Sequence, residues 1–353
     1  MQVYIKNRVR LKTEYQYFMH QFVEACVDNG FKCKKDVIPS YRFHFRALIF
    51  RGLLAVYKTV HALFPKLVKR KQALIITANG CTILENVFPY FFGYEIIPML
   101  WDVWPYTWDT LYRDLKLLEV KRLFVTVRAM AVKISKDLGI ECYWIPEGID
   151  VDDYSNGVKL SMRSNDILEI GRQHPQYHKV LLQLESKGLV KGLKYNTLHP
   201  DGSIDLRHLL YPTAQSLIDD LVNFKIMICF PQSDTNPKRA GALETLTQRY
   251  WEAMLSGCLI VGRAPKELID LIGYNPVVDV EWDSPGRQLS AIIEKIENYQ
   301  SLVDKNQKVA VKFASWNSRV QKMKSVLEGN GYDFGRHADC RKPYKDGHTD
   351  GAQ

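Results

Sequence analysis

The chain has 353 residues, 46% hydrophobic and 25% charged, long enough for two domains that each bury a core. Lys and Arg number 48 against 39 Asp and Glu, a formal net charge of +9 that predicts attraction to an anionic partner: nucleotide, phospholipid or nucleic acid. Seven Cys, at 26, 33, 81, 142, 229, 258 and 340, make no Cys-x-x-Cys pair, which disfavours a disulfide framework or a zinc site and fits a reducing, cytoplasmic setting.

Residues 1–12 lack the continuous apolar core of a cleavable signal, and the apolar stretch 47–57 contains Arg51 and is too short to span a bilayer. Short apolar runs alternating with helical patterns predict parallel sheets covered by helices. In the first half, strands are expected at 2–6, 73–78, 94–100, 122–126 and 141–145, and helices at 15–29, 43–64, 108–118 and 130–138. No acid occurs between Asp36 and Glu85, whereas Arg42, Arg46, Arg51, Lys58, Lys66, Lys69, Arg70 and Lys71 supply eight cations. Phe45, Leu48, Ile49, Leu53, Val56, Tyr57 and Val60 follow helical spacing among them. That mixture over 42–71 suits a helix lying on an anionic bilayer, such as the inner face of a membrane; it also suits a core helix with a solvated basic side. No nucleic-acid module accompanies the charge, so nucleic acid is not expected as a partner.

The polar stretch 150–162 marks the boundary between a first domain, 1–155, and a second, 156–302. Beyond it, strands are expected at 167–170, 193–196, 226–230, 259–261 and 277–280, and helices at 178–186, 213–222, 247–255, 266–271 and 286–299. A single helix over 303–328, part of a segment 303–330, carries Phe313, Trp316 and Val320 on one face; the polar residues 331–353 read as a flexible tail.

Two carboxylates, Glu244 and Glu252, bracket a helix start and precede an apolar strand. Carboxylates accept from sugar and ribose hydroxyls, and the free N–H groups of a helix start suit a diphosphate. The same spacing also occurs on solvated helix faces. Asp166 to Gly171 and Arg172 reads as a strand running into a glycine turn, with Lys179 seven positions on; two cations at that strand end could neutralise a pyrophosphate, or simply sit in a solvated loop. A second strand ends at Pro231 and Ser233. In the first half, Trp101, Asp102 and Trp104 follow a strand: the rings could stack on sugar and Asp102 orient an acceptor hydroxyl, or the rings could fill core and Asp102 cap the next helix. Asn79 and Gly80 end the preceding strand and face the same cleft if the sheet winds as expected. His174 and His178 are four apart, but Pro175 between them disfavours the helix a metal pair would need.

Over 145–275 the sequence resembles the retaining, GT-B-type glycosyltransferases of group 1. Pro146-Glu147-Gly148-Ile149-Asp150 is similar to that family's interdomain Pro-Asn-Gly-Val-Asp turn; Gly171-Arg172 with Lys179 resembles its phosphate-binding pair, Pro231 and Ser233 its strand end, and Glu244 with Glu252 its paired acids. The resemblance implies an α/β fold of two Rossmann-like domains facing a central cleft. It implies a nucleotide-sugar donor whose diphosphate is held by Arg172 and Lys179, whose ribose meets Glu252 and whose sugar meets Glu244, with Thr245, Leu246 and Thr247 beside it. It further implies transfer to a saccharide or lipid-linked acceptor in surface polysaccharide or glycolipid synthesis, with no metal or other cofactor. Thr245-Leu246-Thr247 replaces the usual glycine-rich turn, and Asn7-Arg8-Val9-Arg10 replaces a glycine-rich loop after the first strand. A degenerate partner subunit and a nucleotide-sugar epimerase on the same architecture are the alternatives.

Overall fold

The computed structural model describes residues 1–7, 17–35, 46–63, 70–154, 158–199 and 209–334. The loop residues Arg8 to Arg10, the cations Arg42, Lys66 and Lys69, and the tail from 335 onward lie outside them.

The first domain is an all-parallel sheet of β1 (Gln2–Asn7), β2 (Lys32–Lys35), β3 (Gln72–Asn79), β4 (Tyr94–Trp101), β5 (Arg122–Val125) and β6 (Glu141–Trp144), in the order β2-β1-β3-β4-β5-β6. Its helices are α1 (Tyr17–Asp28), α2 (Arg46–Leu63), α3 (Ile83–Val87), α4 (Trp108–Leu117) and α5 (Arg128–Leu138). Alternation along the central strands feeds two cores. Leu74, Ile76 and Leu100 pack with Phe50, Leu111 and Ile134 on one face, whereas Ala73, Ile75, Ile97 and Met99 pack with Phe22 and Trp316 on the other. The strand β2 was not expected because Lys-Cys-Lys-Lys has no apolar pattern; it is an edge strand, where charge blunts further pairing.

The second domain contains β7 (Asn165–Glu169), α6 (Pro175–Ser186), β8 (Lys194–Tyr195), α7 (Ala214–Leu221), β9 (Phe224–Cys229), α8 (Gln232–Thr235), α9 (Pro237–Ala240), α10 (Gln248–Leu255), β10 (Leu259–Gly262), α11 (Lys266–Ile272), β11 (Val277–Asp279) and α12 (Pro285–Glu294). Its parallel sheet runs β11-β10-β9-β7-β8. Ile226 and Ile228 face one core and Met227 and Cys229 the other. The helix expected over 286–299 stops at Glu294, and a 3₁₀ turn, Ile296–Tyr299, follows.

The expected terminal helix is two helices, α13 (Gln300–Phe313) and α14 (Trp316–Gly329). The break at Ala314 and Ser315 lets the chain serve two cores. Phe313 packs against the second domain, whereas Trp316, Val320, Met323 and Leu327 are buried in the first, each contributing roughly 1.5–3 kcal/mol of burial. Ser315 restarts the helix by accepting from the Asn317 N–H at 3.1 Å. The start of the expected tail is also packed: Tyr332 and Phe334 are buried, and Asp333 bridges Gln2 beside β1. No described helix is long and apolar enough to cross a membrane.

The chain passes between the domains twice, and the two passages bond to each other. Ile149 N–H donates to Ala314 O at 2.9 Å and Trp316 N–H to Ile149 O at 3.2 Å. The buried Arg319 guanidinium donates to Pro146 O at 2.7 Å, Phe313 O at 2.6 Å and Ser315 O at 3.0 Å. There is no room for a side chain at Gly148, where a Cβ would lie 2.8 Å from the Trp316 ring and 2.9 Å from Ala314 O. Gly148→Ala is therefore expected to lower stability by about 1–3 kcal/mol, the usual range for overpacking, in a denaturant-unfolding series; an unchanged midpoint would show that the crossing is loosely packed.

Candidate functional site

Both sheets have the strand order in which neighbouring connections leave in opposite directions, and a crevice opens at the carboxyl ends of the two strands where this happens. In the second domain those strands are β7 and β9. After β7, Gly171 adopts φ +87°, a left-handed turn that a side chain would strain, and Arg172 follows. Arg172 Nη1 donates to Gln232 Oε1 at 2.5 Å, across the switch point at the start of α8. Arg172 lines a cavity of about 210 Å³ between the domains, facing Asp102 and Glu147 of the first domain and Thr247, Gln248 and Arg249 at the start of α10. Burial lowers the Arg172 pKa, and the negative charges of Asp102 and Glu147 act against that shift.

A smaller cavity, about 70 Å³, adjoins it through Ile170, Gln248 and Arg249, and Tyr211, Thr213 and Glu252 line its far side. Glu252 is buried and accepts from Arg249 Nη1 at 2.5 Å. Burial opposes the charge on Arg249, but Glu252 outweighs it and raises the arginine's pKa. Arg249 was not singled out from sequence, although its spacing of three from Glu252 on one helix was the available signal. Lys179, the expected second cation, is exposed on α6 and lines neither cavity. Its neighbour His178 pairs through Nδ1 with the buried Glu169.

Glu244 stands elsewhere. Its carboxylate accepts from Arg263 Nη1 at 2.5 Å and from the Lys266 N–H at 2.8 Å. Arg263, just after β10, also donates to both oxygens of Asp234 at 2.6 Å and to Ser233 Oγ at 3.1 Å. This network draws Glu244 into a third cavity of about 910 Å³, which shares Phe230 with the Arg172 cavity. The expectation of one pocket holding Arg172, Glu244 and Glu252 is corrected to adjoining compartments, because Arg263 captures Glu244. Pro231 precedes α8; between the acids, Thr245 and Leu246 are buried, and Thr247 lines the Arg172 cavity. The Leu246 N–H donates to Glu267 Oε2 at 3.0 Å, and Glu267 Oε1 accepts from the Arg128 N–H of the first domain at 2.6 Å, a second link across the cleft.

On the first-domain side, Asp102 adopts φ +50°, a strained conformation for a residue with a side chain, directly at the cleft. Its Oδ1 accepts from Trp104 Nε1 at 3.1 Å and caps no helix. Trp101 and Trp104 are both buried; Trp101 packs on Phe22 and Trp316 and reaches the wall of the Arg172 cavity, whereas Trp104 lines none of these cavities. Asn79 and Gly80 line none of these cavities. Asn79 forms a turn with Thr82, and Gly80 lies where a Cβ would be 2.6 Å from Thr107 Oγ1.

Glu147, noticed in the sequence only as part of the interdomain turn, is a functional candidate that composition could not reveal. It is buried and accepts from the Gln248 N–H at the first position of α10 at 3.1 Å. Burial, reinforced by Asp102, pushes its pKa up to about 8 from 4.5. Between these values the unfolded chain has lost the proton and the folded chain keeps it, so Glu147 removes stability as pH rises through the window. Glu267, raised to about 7, acts with the same sign. Glu147→Gln is expected to flatten the fall of Tm between about pH 5 and 8 without abolishing it, as read by scanning calorimetry. A slope identical to that of the parent would contradict the burial of this acid.

No protein-family model matches the chain, and no curated protein matches it in sequence. Solved structures do match. HepE from Anabaena in complex with UDP-glucose aligns with TM-score 0.58 at 12% identity, covering 93% of this chain and 100% of that one. Sucrose-phosphate synthase from Thermosynechococcus elongatus aligns with TM-score 0.53 at 11% identity, covering 94% and 99%. TarM aligns with TM-score 0.51 at 12% identity over 78% of this chain, which spans 58% of TarM. At such identities the likeness speaks for the fold, and together with the two parallel sheets facing one cleft it makes the architecture GT-B.

Proposed function

We propose that this chain is a metal-independent, retaining glycosyltransferase that takes a sugar from a nucleotide-sugar donor and passes it to a saccharide or lipid-linked acceptor, in the synthesis of a surface polysaccharide or glycolipid. One observation carries the reading: Arg172, the Arg249–Glu252 pair and the start of α10 line two joined cavities at the topological switch point of a GT-B fold. Glu252 would accept from the ribose hydroxyls, and Arg172 with Arg249 would hold the diphosphate, taking over the role that the sequence resemblance gave to Lys179. The HepE structure containing UDP-glucose supports a donor of this class.

In the proposed reaction the acceptor oxygen bonds to the anomeric carbon while the bond from that carbon to the diphosphate oxygen breaks. The electron pair stays on the diphosphate, and the acceptor proton passes to it on the same face. Charge developing on the leaving group is met by fixed guanidinium groups in a partly dry site, where such contacts are strongest. Glu244 then positions sugar from the adjoining compartment, and Asp102 orients the acceptor hydroxyl.

A donor at 100 times its Kd should stabilise the fold by roughly 2.7 kcal/mol, read as a rise in Tm across a panel of UDP-, GDP- and ADP-sugars. Glu252→Ala should remove that rise and lower donor turnover at least tenfold, and turnover by the parent enzyme should survive EDTA. A parent protein with neither donor-induced stabilisation nor turnover would be a scaffold and would end the enzyme reading.

The membrane component of the proposal has its own support. Phe50 and Leu54 of α2 are buried in the first core, whereas Ile49, Leu53, Val56, Val60 and Leu63, at helical spacing, are each at least 40% exposed. An exposed aliphatic stripe within a segment of eight cations and no acid fits an anionic interface. Sedimentation with phosphatidylserine vesicles, and its loss in Leu53→Asp/Val56→Asp, is the expected outcome. Equal sedimentation of the parent and variant proteins would reject docking through α2.

A further inference from the structure

A donor sugar at Glu244 accounts for only part of the third cavity. It opens on the β10–β11 side of the cleft, away from the Glu252 compartment, and both domains line it: Arg128, Ala129 and Val132 of α5 on one side, and Arg263, Asp279 and Trp282 on the other. Its volume of about 910 Å³ is near the top of the roughly 300–1,000 Å³ range of small-molecule sites. Two of the exposed large apolar side chains of the described residues lie here, Val132 at 67% and Trp282 at 48%.

Trp282 is backed by a fixed stack. Its ring centroid is 4.7 Å from that of His174 and 6.0 Å from that of Phe230, and Tyr177 supports Phe230 edge-on at 5.5 Å. Burial lowers the His174 pKa, which keeps that imidazole neutral and the stack uncharged. The cations lining the cavity are already paired, Arg263 with Asp234 and Glu244, and Arg128 and Lys266 with Asp270, while the lining acids Glu267 and Asp279 accept from backbone or amide N–H groups. A lining with its cations paired gives an anionic ligand little net attraction but offers fixed acceptors to hydroxyl groups, while an exposed indole offers a flat apolar face. Hydroxyls around an apolar ring face are the chemistry of a neutral sugar.

We propose that this cavity is a subsite for a neutral saccharide chain, seated with one ring against Trp282 and held by Asp279, beside the donor sugar at Glu244. Its occupant is the acceptor, a role that rests on the glycosyltransferase reading; the binding itself does not. With the donor sugar beside Glu244, the acceptor chain extends over Trp282.

The test uses the full-length protein with maltotetraose, cellotetraose and chitotetraose as probes. Hydroxyl-radical footprinting should show saturable protection of Trp282 by at least one of them, with Trp282→Ala weakening binding about tenfold by titration calorimetry, within the usual worth of an aromatic stack. Val132→Glu, at an exposed position on the opposite wall, should weaken it similarly while leaving Tm unchanged, which separates lost contact from lost folding. Trp282 oxidation unaffected by all three sugars, or both variants binding like the parent, would overturn the subsite. A nucleotide sugar that still raises Tm would in that case leave the donor site standing, whereas saccharide protection without any donor effect would leave the subsite standing and remove the transferase role.

Discussion

The interdomain crossing is the constraint on which the site depends. Every group facing the cleft is placed relative to the backbone passage at Pro146, Glu147 and Gly148, and that passage is fixed by one buried guanidinium. Arg319 binds a carbonyl of each passage, so the second-domain core that ends at Ala314 and the first-domain core that begins at Trp316 meet in a set register. Burial lowers the Arg319 pKa and Glu147 opposes the shift, and the cation also lies over the Trp251 ring at 5.7 Å. Removing a partner from such a buried charge generally costs several kcal/mol, which makes the crossing rigid. Trp251 adds a third tie by donating from Nε1 to Glu147 O at 3.0 Å, fixing α10 to the same passage.

From that rigid point the electrostatics of the cleft follow. Glu147 leaves the crossing and accepts from the first N–H of α10, the end of a helix that favours negative charge. Asp102 approaches from the end of β4, and Arg172 and Arg249 approach from the second domain. Two acids and two arginines thus face one another across a small volume, and Arg249 is already committed to Glu252. An incoming diphosphate would meet preset cations, but also the carboxyl of Glu147 at the helix start. Proton occupancy of that acid therefore bears directly on how much negative charge the crevice tolerates.

Much of the fold was legible because buried parallel strands announce themselves as short apolar runs: β3, β4, β9 and β10 fall within a residue or two of expectation. The basic edge strand β2 was not, since its stability comes from pairing with β1 and its sequence has no apolar period. The terminal helix was misread because Phe313, Trp316 and Val320 continue one helical period across a break; periodicity records which residues are buried, not which core buries them. At the site, the glycine turn before Arg172 was readable. The diversion of Glu244 was not, because it depends on Arg263, nineteen residues away and past the end of β10. The two tryptophans flanking Asp102 and Val103 illustrate the limit: the pattern suits either a platform or a core, and burial decides for the core. The exposed indole is instead Trp282, in a turn after β11 where no motif marks it.

The most direct measurement is a crystal structure of the protein with a bound nucleotide sugar from the stabilising set. The diphosphate should lie within hydrogen-bonding distance of Arg172 and Arg249, with the ribose at Glu252 and the sugar pointing past Phe230 toward Glu244. A nucleotide bound outside the joined cavities between β7 and β9, with Arg172 still bonded only to Gln232, would contradict the assignment of this crevice to a donor.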